Sequence, residues 1–150
     1  MSWNDLRKGR LSQQRGEYLI TFNTLERLAV FDNFDLACLF CRQIAVNQRR
    51  YQCTWLTWVL MPDHFHGLLR LESTENTLSR VVAGLKATSG YAVNQHLKRQ
   101  GRFWQPAFHD RALRTDDDRV AIARYIVGNP LRAGLVSDLK DYPFWNAVYL

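Results

Sequence analysis

Thr54-Trp55-Leu56-Thr57-Trp58-Val59-Leu60-Met61-Pro62-Asp63-His64-Phe65-His66-Gly67-Leu68-Leu69-Arg70-Leu71 decides the fold. Its first seven residues are almost wholly strand-favouring, Met61-Pro62-Asp63 supplies turn chemistry, and His64 to Leu71 resumes a strand-like run. Two such runs joined this closely read as a hairpin. Side chains alternate across a strand, so His64 and His66 share one face while Phe65, Leu69 and Leu71 share the other. The greasy face suits packing helices. The histidines then lie on the open face, where a site could be built.

Outward from the hairpin, Tyr18-Leu19-Ile20-Thr21-Phe22 has the composition of a first strand. Asp32-Asn33 offers N-cap chemistry, and Leu36, Ala37, Phe40, Cys41 and Ile44 follow at helical spacing, predicting a helix to about Arg49. Leu78, Val81, Val82, Leu85, Ser89, Ala92, Val93 and His96 recur at three and four, the signature of a long amphipathic helix. Phe108 to Arg114 reads as a fourth strand. Thr115-Asp116-Asp117-Asp118 resembles a capping box opening a third helix, its acids well placed against the helix dipole. Pro130 should stop that helix near Gly128 or Asn129. The order β-α-β-β-α-β plus a further helix predicts a ferredoxin-like α+β fold, an antiparallel sheet with two helices on one face.

The totals narrow the class. A chain of 150 residues is most simply one domain, residues 1–150, led by a polar arm over 1–16 that carries Arg7, Lys8, Arg10 and Arg15. With 47% hydrophobic residues, disorder as a whole is excluded. Lys and Arg outnumber acids by 20 to 14, giving +6 and a pI near 9.5, a balance that favours polyanionic partners. Cys38, Cys41 and Cys53 are too few for a four-thiolate zinc site and read as packed, reduced thiols. With no signal peptide and no apolar run near membrane length, a cytoplasmic protein is expected.

Two imidazoles on one strand face can hold a divalent metal, although H-x-H pairs also occur as plain surface residues. Tyr125 and Asn129 are four apart and stack on one helix face if the last turn holds. An amide oxygen suits hard ions such as magnesium or manganese, so Asn129 could complete a site beside Tyr125. In the alternative, Tyr125 packs in the core and Asn129 caps the helix ahead of Pro130. Lys98, Arg99 and Arg102 form a basic cluster that either contacts phosphates or solvates a helix end. Trp104 either stacks on unpaired bases or belongs to the core.

The chain resembles the single-tyrosine HUH transposases of bacterial insertion sequences, and within them the REP-associated tyrosine transposases. Met61-Pro62-Asp63-His64-Phe65-His66-Gly67-Leu68-Leu69 is similar to their M-P-N-H-x-H-x-L-L segment. Tyr125-Ile126-Val127-Gly128-Asn129-Pro130-Leu131-Arg132-Ala133-Gly134-Leu135-Val136 is similar to Y-I-x-x-N-P-x-R-A-G-L-V. Trp104-Gln105 with Phe108 resembles W-Q-x-x-F, and Gly9-Arg10 before the first strand matches the REP-associated branch. Joint occurrence in this order is far more specific than any one motif. Two departures stand out: Asp63 replaces the commoner asparagine, and Gly128 stands where a larger apolar residue is usual.

The resemblance implies metal-dependent cleavage and joining of single-stranded or hairpin DNA. His64, His66 and Asn129 would hold Mg2+ or Mn2+, and Tyr125 would form a 5′-phosphotyrosine. It further implies repetitive extragenic palindromes as substrate, with Arg7, Lys8, Gly9 and Arg10 as contacts to a single-stranded guide and Lys98, Arg99, Arg102 and Trp104 elsewhere on the DNA. Either a monomer or a homodimer fits. A histidine-triad hydrolase fails, because Leu68 occupies the place of its third histidine. The remaining rival is a non-catalytic ferredoxin-like module that binds repeat hairpins without cutting them.

Overall fold

The computed structural model describes residues 16–150. β1 (Glu17–Asn23) leads to α1 (Phe34–Tyr51), then to β2 (Cys53–Met61) and β3 (His64–Leu71), joined by Pro62 and Asp63 alone. α2 (Leu78–Leu97), β4 (His109–Ala112), α3 (Arg119–Val127), the single turn α4 (Asn129–Arg132) and β5 (Trp145–Ala147) complete the order. The strands form one sheet in the order β4-β1-β3-β2-β5, every pair antiparallel. The first four strands keep the expected ferredoxin-like arrangement. β5 is an addition beside β2 that the sequence pattern does not reveal, for three residues are too short to show a period.

Local chemistry sets the helix ends. Asn33 caps α1, its side chain accepting from Leu36 N at 3.2 Å, and Thr77 caps α2 by accepting from Arg80 N at 3.2 Å. α3 opens on Asp118, which accepts from Ala121 N at 3.0 Å. That corrects the expected start at Thr115: Asp117 instead accepts from Arg114 N at 2.7 Å, spending these residues on a turn. Pro130 does end α3 at Val127, yet the chain continues helically, with the proline tolerated in the first turn of α4.

The sheet separates two apolar layers. On one side Phe22, Phe40, Trp55, Phe65, Leu69 and Leu85 pack with α1 and α2. On the other, Leu56, Val59, Met61, Leu68 and Ile126 join β2, β3 and α3. A bulge between Trp55 and Thr57 changes the alternation, so Trp55 and Trp58 both reach the helix layer. Because Phe65 and Leu69 face the helices and Leu68 faces α3, His64 and His66 lie on the α3 side. Among the described residues, no helix is long and apolar enough to cross a membrane.

Candidate active site

His64 opens β3 directly after the turn, half-buried, with its Nδ1 2.8 Å from Asp63 Oδ1. The second carboxylate oxygen of Asp63 accepts from Arg27 Nε at 3.0 Å. Burial raises the Asp63 pKa, but the hydrogen bonds from His64 and Arg27 outweigh it and hold the carboxyl below its usual value. An ionised carboxylate only accepts, so the shared hydrogen sits on His64 Nδ1, and Nε2 is the ring nitrogen turned away from the carboxylate. A carboxylate orienting a ring in this way is the usual support of a metal-binding imidazole.

His66 lies one alternation deeper. Burial, aided by the charges of His64 and Arg132, pushes its pKa down to about 4, so its ring is neutral near pH 7. It lines a cleft of about 320 Å3 together with Leu19, Arg111, Ala121, Ile122, Tyr125 and Ile126. The fold thus brings His66 and Tyr125, 59 residues apart in sequence, onto one cavity between α3 and the sheet. Tyr125 is 62% exposed, which removes the alternative of a core tyrosine. Gly128 rather than Asn129 caps α3, while Asn129 begins α4, half-buried one turn beyond the tyrosine.

Among the described residues, no three His, Cys, Asp or Glu side chains cluster as a metal site. The fit to a cation therefore rests on two imidazoles on one strand face, one of them braced by a carboxylate. Further ligands would be neutral oxygens, of which the Asn129 amide is the one in the motif.

A second surface surrounds the C-terminal half of α2. A groove of about 560 Å3 runs between that helix and residues 101–108, with Lys86, Tyr91, Asn94, Arg102 and Phe108 among its walls. Lys86 Nζ donates to the carbonyls of Gln105 at 2.6 Å and Ala107 at 3.1 Å, and burial and Arg102 lower its pKa. Lys98 ends α2 in a left-handed conformation with φ 54°. Arg99 is held by Asn94 Oδ1 at 2.8 Å, and Lys98, Arg99 and Arg102 are all exposed.

Trp104 takes the core alternative, which corrects its expected role on DNA. Its indole is buried, donates to Ser89 Oγ at 3.0 Å and packs against Phe22, Phe31 and Phe40, so it offers no face to a base. The aromatic that is offered is Tyr91, 68% exposed. Helical spacing could have found it, since it falls off the apolar stripe of α2. Arg27 and Arg111 escape a sequence reading, because only the folded chain brings them to the histidine side. Arg7, Lys8, Gly9 and Arg10 lie outside the described residues.

The fold and sequence have counterparts among known proteins. A REP-associated tyrosine transposase of Escherichia coli K12 is 31% identical over 87 residues, covering 58% of this chain and 50% of that protein. A Haemophilus influenzae relative is 28% identical over 94 residues, covering 57% of this chain and 53% of its own. The chain thus spans about half the length of the curated relatives it matches. A solved structure of a REP-associated tyrosine transposase bound to a REP hairpin shares the fold with a TM-score of 0.73 at 22% identity, covering 89% of this chain and 77% of that one. The sequence model of the family described as "Transposase IS200 like" matches residues 12–129, from before β1 to Asn129. The chain belongs to the IS200-like transposase family.

Proposed function

We propose that this chain cuts and rejoins single-stranded or hairpin DNA by transesterification at Tyr125. The observation that carries the reading is the shared cleft, where a neutral His66 and the solvent-facing Tyr125 line one cavity. The Tyr125 oxygen forms a bond to phosphorus as the bond from phosphorus to the 3′ oxygen breaks. The phenol proton is lost and the departing 3′ oxygen gains one, leaving a 5′-phosphotyrosine and a 3′-OH. The linkage conserves the phosphodiester bond energy, so attack by a second 3′-OH restores DNA without a nucleotide cofactor.

His64, His66 and Asn129 would hold Mg2+ or Mn2+, which when bound supplies charge stabilisation at the scissile phosphate. Asp63 and Arg27 keep the His64 ring turned so that Nε2 faces away from the carboxylate. Arg111, on the wall of the same cleft, offers a cation to a neighbouring phosphate.

The DNA would also lie across the C-terminal half of α2, its phosphates on Lys98, Arg99 and Arg102 and an unpaired base on Tyr91. Phe108, just before β4, lines the groove, while Arg111, within β4, lines the cleft. A strand passing over β4 can therefore use both. Arg7, Lys8, Gly9 and Arg10 would contact the single-stranded guide, and repetitive extragenic palindromes are the proposed hairpins. Incubating a labelled palindromic hairpin with Mn2+ tests the reading. A denaturant-resistant adduct, lost in Tyr125→Phe and on chelation, is expected; tight binding with no adduct would replace it with the non-catalytic module.

A further inference from the structure

Tyr125 projects from the last turn of α3 and is 62% exposed, a setting in which a ring normally samples several rotamers. Here one face of the ring is covered. The Arg132 guanidinium carbon lies 4.0 Å from the ring centroid, and Arg132 Nη2 donates to the Tyr125 carbonyl oxygen at 2.6 Å. The same guanidinium thus satisfies a carbonyl at the helix end and stacks on the side chain of that residue. It reaches back over Gly128 to do so. A Cβ at position 128 would sit 2.8 Å from Arg132 Nη1 and 2.9 Å from the Arg124 carbonyl oxygen. Gly128 has φ −74° and ψ −7°, which any residue adopts, so a side chain there would disturb not the backbone conformation but the guanidinium that crosses it.

We propose that Arg132 is a positioning residue for Tyr125, and that Gly128 is the gap through which it reaches the ring. The inference rests on the reading of Tyr125 as the attacking group. With one face stacked and the carbonyl tied, the ring is confined and its hydroxyl is presented in a narrow range of directions. Attack on phosphorus is sensitive to such confinement, since a misplacement of about 1 Å costs on the order of 100-fold in rate. A lysine at 132 would keep the charge but lose the planar stack and the fork of donors.

Nuclear magnetic resonance on the full chain, with labelled tyrosine and arginine, reads the pair without DNA. Ring-current shifts on the Arg132 side chain should vanish in Tyr125→Leu. Side-chain order of Tyr125 should fall in Arg132→Met, Arg132→Lys and Gly128→Val. With a labelled hairpin and Mn2+, single-turnover adduct formation should slow by about 10- to 100-fold in the same three variants, with hairpin Kd held within about twofold. Unchanged Tyr125 order in Arg132→Met overturns the proposal, as does a wild-type adduct rate in Arg132→Met or Arg132→Lys. If Gly128→Val fails to fold, the two Arg132 variants decide. An inactive wild type would sink the cleavage reading alone, because the resonance data still show whether Arg132 orders Tyr125.

Discussion

Asp63 divides its two oxygens between His64 and Arg27, so one side chain braces a histidine and pins a distant loop. Asp63→Ala frees the ring and should weaken Mn2+ binding by about 10- to 100-fold, whereas Asp63→Asn still accepts at one oxygen and should lose less. A titration followed by electron paramagnetic resonance of free Mn2+ reads this, and equal affinity in Asp63→Ala would deny the bracing role. Asn47 is the comparable residue in the core. Its amide donates to the Val81 carbonyl at 3.0 Å, and its oxygen accepts from the Trp55 indole at 2.9 Å. Asn47→Leu leaves the buried Trp55 indole N–H without its acceptor, at ~1–3 kcal/mol, while the Val81 carbonyl keeps its bond within α2. Urea denaturation should show that loss, and a midpoint within error of wild type would contradict it. At this scale the sequence was informative for His64, His66 and Tyr125, whose spacing and motif neighbours carry a signal. It was silent on Arg27 and left Trp104 open between a base and the core, since burial of an indole depends on Ser89 and three phenylalanines from other elements.

The element that carries Tyr125 depends on its cap. Asp118 holds the first turn of α3 by accepting from Ala121 N, and Asp118→Ala should cost about 1 kcal/mol. Thermal melts would show a small fall in Tm; no change would mean that packing of Ile122, Ala123, Ile126 and Val127 holds the helix without the cap. Helices α1 and α2 were legible because their apolar stripes run for four turns or more, and Asn33 marked the start of α1; the Thr77 cap of α2 emerged only from the structure. β2 and β3 were legible from composition and their turn. β5 and α4 were not, being three and four residues long. They are held by tertiary packing, β5 by pairing with β2, and packing of that kind leaves no period in the chain.

For the whole molecule, burial raises several acids together. The Cys41 and Cys53 thiols move from an ordinary 9.0, and the Tyr142 phenol from 10.0, each to about 12. Desolvation comes first in every case, followed by Cys38 for Cys41, Glu72 for Cys53, and Cys41 and Asp32 for Tyr142. The folded chain therefore holds protons that the unfolded chain releases, so this stability is full below about pH 9 and is lost as pH rises toward 12. Denaturation midpoints should fall steadily above pH 9, less steeply in Cys53→Ala, and a flat profile to pH 10.5 would contradict the burial. The net charge of +6 acts at the same scale. Hairpin affinity should fall with salt. Lys98→Ser with Arg99→Ser should flatten the log–log slope by about 0.7 for each single-strand phosphate that is no longer neutralised. The proposed reaction leaves Tyr125 joined to DNA. Mass spectrometry of the proteolysed adduct, formed from a palindromic hairpin with Mn2+, tests it most directly. The peptide containing Tyr125 should carry a 5′-phosphoryl oligonucleotide; attachment at Tyr91, which is exposed to a similar degree, or no attached peptide at all, would overturn the reading of Tyr125 as the attacking group.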